Sequence, residues 1–379
     1  MVKKALTIVG VMLVIYLAYF LFRGVSFYKY IAKGGEKNTP APVEKMQYNI
    51  LLMGYGGEGH DGPYLTDSIM IAHLDLKTNK VALISLPRDL WVGLPTKSGE
   101  DFHSKINAVY QIGLFPSTFP DVNVKKAGST DVLKASIKTI TGLTIDNIVT
   151  VDFAGFEKAV DALGGIDVQV QKTFDDYEYP IDGQEKNDCG KVDQALDDAL
   201  KLATSAAIGV APTAFPCRFE HLHFDAGKVH MDGATALKYV RSRHSLQDGS
   251  DFGRAARQQQ FVKAVKEKLL NVSILANVFP LMDQLKDHIS VDVSSDELKK
   301  FIAEAKDIVS YKIITIRMSD TDYLKSSYSD YGGYILIPRS GEDNWTEIHT
   351  MIQNGINEIK PTATPTPVPT GKITPTVKK

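Results

Sequence analysis

The sequence predicts an α/β protein, a three-layer α/β/α sandwich with a mixed central sheet, preceded by one N-terminal transmembrane helix. Three observations predict it. Short β-rich runs recur between amphipathic helical stretches, the pattern of a mixed sheet covered by helices on both faces. Residues Ala5 to Phe22 form an uncharged, nearly all-apolar run. The 379 residues are 44% hydrophobic and 23% charged, enough for a sizeable core and unlike a disordered chain.

At about 1.5 Å per residue, the run from Ala5 to Phe22 nearly crosses a bilayer core of roughly 30 Å. It continues into Arg23 without a small-x-small cleavage site, which favours an anchor over a cleaved signal peptide. Residues 1–4 are a short basic stub, so the working part of the chain follows the helix. Residues 23–44 read as a linker, and GGEKNTPAP within it as a flexible spacer. Pro and Thr supply 11 of the 19 residues in 361–379, a tail that builds no packed core. The folded domain is expected over 45–360.

Within it, YNILLM (Tyr48 to Met53) ends at Gly54 and reads as a buried strand. Ser68 to Asp75 and Lys80 to Leu86 flank LKTN and suggest a hairpin. Helical periodicity follows in Lys105 to Ile112 and Asp131 to Thr141, then a strand at Asn147 to Phe153 and a helix at Gly155 to Leu163, broken by Gly164 and Gly165. Ile166 to Val170 is a strand; Gly233 to Tyr239 and Asp251 to Leu270 are helices. Asp287 to Val293, Lys312 to Arg317 and Tyr334 to Ile337 complete the strands. Residues 174–224 are rich in Asp, Gly and Pro and read as an insertion. This insertion holds both cysteines, Cys189 and Cys217. Outside the cytoplasm the two are expected to form one disulfide; in a reducing compartment they would stay separate thiols.

Charge use locates the chemistry. The formal net charge of -2 gives no sign of nucleic-acid binding. Yet of nine Arg among 34 Lys, four fall between Arg241 and Arg257. Arginine presents a planar, permanently charged fork that pairs bidentately with phosphate, whereas lysine serves a solvated surface equally well. In YVRSRHS, Arg241 and Arg243 are two apart, so an extended backbone aims both to one side. In DFGRAARQQQF, Arg254, Arg257 and Gln258 share one helix face. Arg254 lies in the first turn after Asp251, where a cation opposes the helix dipole and an anionic ligand would relieve it. Arg88 and Asp89 directly follow a buried strand, Lys105 begins a helix and Asp67 precedes a strand. A carboxylate among such cations suits a divalent ion that also binds phosphate oxygens.

Taken in order, YNILLMG, LTDSIMIAHLDLKTNKVALISLPRD, KINAVY, VDFAGFEKAVDALGGIDVQV, DGATALKYVRSRH and DFGRAARQQQ resemble the successive blocks of the LytR-CpsA-Psr family, over about Gln47 to Leu270. The combination of PRD, YVRSR and DFGRxxRQQ is highly specific. The resemblance implies a single-pass cell-membrane protein with its C-terminal domain extracytoplasmic and its helix in the lipid bilayer. It also implies a phosphotransferase that moves an anionic glycopolymer, such as a teichoic acid or capsule, from a polyprenyl-pyrophosphate carrier to a peptidoglycan hydroxyl, with Mg²⁺ or Mn²⁺. By motif position the pyrophosphate binders are Arg88, Lys105, Arg241, Arg243, Arg254, Arg257 and Gln258. Asp67 is implied as a metal ligand. Asp89 and Asp251 are the candidates for taking the hydroxyl proton, and Asp67, Arg88, Asp89 and Asp251 make up the expected catalytic set.

Two departures stand out. Leu65 occupies the place where the family carries Arg, just before the Thr-Asp pair. The second metal aspartate is replaced around Tyr55 by GYGGEGHDGPY, leaving Glu58, His60 or Asp61 as substitutes, of which Asp61 is taken with Asp67 as the expected pair. A non-catalytic envelope module binding polyprenyl pyrophosphate or wall polymer, or a pyrophosphatase variant, is the competing reading.

Overall fold

The computed structural model describes residues 46–203, 210–269, 285–292 and 311–359. The expected transmembrane helix, linker and Pro/Thr tail lie outside the described residues. No described helix is long and apolar enough to cross a membrane.

The centre is a six-stranded mixed sheet in the order β11-β6-β1-β2-β3-β12. It is formed by β1 (Gln47–Tyr55), β2 (Thr66–Asp75), β3 (Lys80–Ser85), β6 (Asn147–Asp152), β11 (Ile289–Val291) and β12 (Lys312–Arg317). β2 runs antiparallel to β1 and β3 through the expected hairpin, while β6 lies parallel to β1 and β12 parallel to β3. Consecutive side chains on a strand face opposite ways, and the central strands are apolar on both sides. Leu51, Met53, Ile69, Ile71 and Ile84 are buried in one core. Leu52, Met70, Val149 and Val151 face the other way.

The first face is covered by α1 (Ile106–Leu114), α2 (Asp131–Thr141) and α8 (Thr346–Ile356). In α2 the stripe Val132, Leu133, Ser136, Ile137, Ile140 is buried at helical spacing, and Gly142 ends the helix at φ 74. The second face is covered by α3 (Phe153–Ala162), α6 (Gly233–Arg241) and α7 (Asp251–Leu269). These build a second core with Val160, Leu237, Tyr239 and Phe261. Asp152 caps α3 by accepting from the Gly155 N–H at 2.7 Å, and Asp232 caps α6 by accepting from Thr235 N–H at 2.8 Å. A Cβ at Gly233 would meet the Glu157 backbone at 2.3 Å, so glycine lets α3 and α6 approach closely. Buried Gln259 on α7 donates to Leu83 O and Ile316 O, both at 3.2 Å, which ties the helix to β3 and β12.

The expected insertion is more regular than its composition suggests. β8 (Phe174–Pro180) pairs with β9 (Phe219–Phe224), and α4 (Asp193–Ala203) and α5 (Val210–Ala214) lie between them in sequence. Cys189 and Cys217 form a disulfide beside a small core of Ala199, Ala214 and Phe215. Smaller two-stranded sheets are β7 (Ile166–Val170) with β10 (Gly227–Met231), β4 (Trp91–Gly93) with β5 (His103–Lys105), and β13 (Leu324–Tyr328) with β14 (Tyr334–Pro338).

Candidate active site

β1, β3 and β6 finish at the same end of the sheet where antiparallel β2 begins. The register opposes Tyr55 to both Thr66 and Asp152, with an irregularity between Gly54 and Tyr55 that opens this edge. α6 ends and α7 begins at the same edge. The loops there therefore bring Asp67, Arg88, Arg241, Arg243 and Arg254 into the wall of one cavity of about 600 Å³. The rest of the cavity runs between the sheet and the helices, over Leu52, Met70, Val149, Phe156, Leu237 and Phe261. Charge is concentrated at one end of an apolar slot.

Arg88 Nη1 donates to Asp67 Oδ1 at 2.6 Å, and its Nε lies 3.5 Å from Asp89 Oδ2 and 3.8 Å from Asp251 Oδ2. Burial disfavours its charge, but Asp67 and Asp251 more than offset this, so the guanidinium pKa is raised overall. Asp89 is buried and receives Lys105 Nζ at 2.6 Å. Arg254 is buried and pairs through Nη2 with Asp251 Oδ1 at 2.9 Å. Burial, aided by neighbouring Arg88, lowers its pKa against the pull of Asp251. Arg243 is likewise lowered, by burial and then by Arg88. Cations held close together and away from water are the situation that a bound dianion relieves.

Arg241 makes a fork-on-fork pair with Asp182 of the insertion, both contacts at 3.2 Å, and its guanidinium lies 4.2 Å from the Phe153 ring centroid. Gln258 accepts from Ser68 Oγ at 3.0 Å and donates to Val240 O at 3.3 Å, so it joins β2 to α6 while lining the cavity.

Not every expected residue joins the cavity wall. Lys105, Asp89 and Asp251 stand behind it, buttressing Arg88 and Arg254. Arg257 departs most: it is buried, bonded to Asp248 Oδ1 at 2.7 Å and to the Ser242 carbonyl, with its guanidinium 4.7 Å from the Phe174 ring centroid. Positions i and i+3 on a helix are still about 60° apart, enough to turn Arg257 towards the insertion while Arg254 faces the cavity. Asp61 is exposed and nearest in charge to Lys186, 3.9 Å away, and lies outside the cavity wall. Among the described residues no group of three or more His, Cys, Asp or Glu is placed to hold a metal.

Sequence reasoning missed the carboxylate that shapes the arginine loop. Asp176 on β8, 1% exposed, accepts from Ser242 Oγ at 2.6 Å and from the backbone N–H groups of Arg243 and His244 at 3.2 and 3.1 Å. It thereby fixes the turn after α6 from which Arg243 projects. Glu178, His244 and Asp152 also line the cavity. The only signal was an unusual run of acids, Asp175, Asp176 and Glu178, in a segment without clear helical or strand patterning.

Comparison with known proteins places the chain in a family and its fold among solved structures. The LytR_cpsA_psr family model matches residues 18–339. TagV of Bacillus subtilis (strain 168), named a polyisoprenyl-teichoic acid–peptidoglycan teichoic acid transferase, is 26% identical over 295 residues, covering 76% of this chain and 61% of TagV. The chain thus spans under two thirds of that relative. TagU of Enterococcus faecalis (strain ATCC 700802 / V583), a transferase of the same name, is 22% identical over 370 residues, with 94% and 98% covered. Among solved structures, B. subtilis TagV superposes with a TM-score of 0.53 at 22% identity over 83% of this chain and 99% of TagV. TagT bound to LIIa-WTA does so with a TM-score of 0.52 at 19% identity over 86% and 98%. These likenesses show the same mixed α/β fold.

Proposed function

The chain belongs to the LytR_cpsA_psr family, and from that premise we propose that it is a membrane-anchored phosphotransferase. It moves an anionic glycopolymer of the teichoic-acid kind from a polyprenyl-pyrophosphate carrier to a peptidoglycan hydroxyl as a phosphodiester. The observation that carries this reading is the convergence of Arg88, Arg241, Arg243 and Arg254 on one end of an apolar cavity. A lipid pyrophosphate has the matching shape, a doubly charged head on a long hydrocarbon stem. Curated relatives with this family's sequence are named as transferases of that chemistry.

In the reaction, the hydroxyl oxygen attacks the phosphorus that bears the polymer, and the bond to the bridging oxygen breaks to release polyprenyl phosphate. Charge grows on the phosphoryl and bridging oxygens. Preorganised guanidinium groups stabilise that charge, and each already sits beside a carboxylate or ring that sets its direction. Arg241 must exchange Asp182 for phosphate. Asp67 offers a carboxylate beside Arg88, which fits Mg²⁺ or Mn²⁺, since such ions are usually held by one or two carboxylates together with substrate phosphates. The ion when bound would neutralise phosphate charge; Asp61 does not join Asp67 to form a pair.

The Cys189–Cys217 disulfide supports an extracytoplasmic domain, since such bonds persist in oxidising compartments. We read residues 5–22 as the anchor. The near-neutral charge favours no nucleic-acid partner. One observation favours the non-catalytic binding reading, namely that Asp61, expected to pair with Asp67 at a metal, lies outside the cavity wall.

The test is incubation of the full chain with a polyprenyl-pyrophosphate glycan, peptidoglycan and Mg²⁺ or Mn²⁺. Polymer covalently attached to peptidoglycan is expected. Donor that binds but remains unaltered would overturn the enzyme reading.

A further inference from the structure

Transfer to a hydroxyl needs a group that takes its proton, and the carboxylates expected for that task are otherwise engaged. Asp89 is buried against Lys105, and Asp251 is held by Arg254 with Arg88 beyond. Asp67 accepts from Arg88, while Asp176 accepts from Ser242 Oγ and two backbone N–H groups. A carboxylate clamped by cations is a weak base.

His244 differs from all of them. It lines the cavity beside Arg243, with its side chain 38% exposed. Its Nδ1 lies 3.4 Å from Glu178 Oε2, and its Nε2 lies 3.1 Å from Arg243 Nε. Arg243 Nε–H has only a proton to give, so Nε2 is the acceptor nitrogen and the neutral ring carries its hydrogen on Nδ1, towards Glu178. An imidazole in the cavity wall, with a carboxylate behind one ring nitrogen and the other nitrogen turned to an arginine expected to hold phosphate, is arranged as an oriented general base.

We propose that His244, oriented by Glu178, is the general base that takes the proton from the attacking hydroxyl. The proposal rests on the phosphotransferase reading. The hydroxyl oxygen forms its bond to the polymer-bearing phosphorus while its proton passes to Nε2. The bond between that phosphorus and the bridging oxygen breaks, and the electron pair leaves with polyprenyl phosphate. The imidazolium then returns its proton to water. Proton transfer to Nε2 requires Arg243 Nε to give up that nitrogen, an exchange that the donor's phosphates would favour.

Electrostatics is compatible with this role. Burial first, then the charge of Arg243, lowers the His244 pKa, against the pull of Glu178, Asp176 and Asp251. The ring is thus unprotonated at neutral pH. Because the base form is required, kcat falls as pH drops through this lowered value.

The test compares wild type, His244→Gln and Glu178→Gln as full chains, with a polyprenyl-pyrophosphate glycan donor and peptidoglycan, reading kcat, donor KM and the kcat–pH profile. His244→Gln is expected to lose about 100-fold to 1,000-fold in kcat, keep donor KM within about twofold, and lose the acidic limb. Glu178→Gln is expected to keep that limb but move it to lower pH, since removing a carboxylate disfavours the imidazolium. A His244→Gln enzyme with wild-type kcat and limb overturns the proposal, as does equal loss of kcat and donor binding. Wild type that binds donor without transfer overturns the phosphotransferase reading itself.

Discussion

The apolar slot makes a prediction about chain length that the arginines alone do not. At roughly 30 Å³ per water-sized group, a cavity of about 600 Å³ holds on the order of 20 non-hydrogen atoms; about nine belong to the pyrophosphate at the arginine end, leaving room for roughly ten carbons, or about two isoprene units. Each buried methylene contributes about 0.8 kcal/mol at most, falling towards roughly 0.3 per atom in larger ligands. One five-carbon unit is therefore worth about 1.5–4 kcal/mol, an affinity gain of roughly 10-fold to several-hundred-fold. Dimethylallyl and geranyl pyrophosphate should bind with rising affinity by titration calorimetry, and the gain should level off near about 10 carbons, with farnesyl and geranylgeranyl pyrophosphate adding little. Val149 faces this slot from β6, and Val149→Phe adds about four carbons, so it should bring the plateau forward by one unit without weakening inorganic pyrophosphate. Affinity that does not depend on chain length, or a plateau that Val149→Phe leaves in place, would refute the assignment of the slot to the lipid.

Three further outcomes follow from particular contacts. Asp182→Asn removes the carboxylate that occupies the Arg241 fork, so farnesyl pyrophosphate should bind about twofold to fivefold tighter, the range of a partly exposed pair; unchanged or weaker binding would contradict the competition. Arg257→Met breaks a mostly buried pair whose partner Asp248 is partly solvated and should cost roughly 2–4 kcal/mol in denaturant unfolding while leaving donor KM near wild type; a large rise in KM would return Arg257 to the phosphate site. Cys217→Ser opens a link across 28 residues and should cost up to about 3–4 kcal/mol of local stability, read as faster proteolytic nicking of the insertion; nicking at the wild-type rate would contradict it.

Much of the core was legible because its signals are local. Apolar runs ended by glycine, the LKTN hairpin and the 3.6-residue stripe of α2 depend on neighbouring residues, and the structure places strands and helices there. Arg88, Arg241 and Arg254 were legible because arginine is scarce in a lysine-rich chain and occurs where lysine would serve a surface equally well. The rest depends on distant partners. β8 was hidden because its buried position 176 is an aspartate, explicable only through the loop it bonds at residues 242–244. Arg257 shares a nominal helix face with Arg254, yet it answers to Asp248 and Phe174. Asp61 sits in a Gly-rich loop whose path nothing in the local sequence specifies, and that path carries it towards Lys186. His244 follows an Arg-rich motif, but its pairing with Glu178 arises only when the insertion folds back over the cavity.

The central claim is that this cavity holds a lipid pyrophosphate for attack by a wall hydroxyl. Phosphorus NMR and mass spectrometry of the complete reaction, for wild type, Asp67→Ala and Arg241→Ala, test it most directly. Wild type should release one polyprenyl monophosphate for each new polymer–peptidoglycan phosphodiester, with both variants strongly impaired. Polyprenyl monophosphate released with free polymer phosphate and no phosphodiester would mark a hydrolase, and intact donor in every sample would contradict the account.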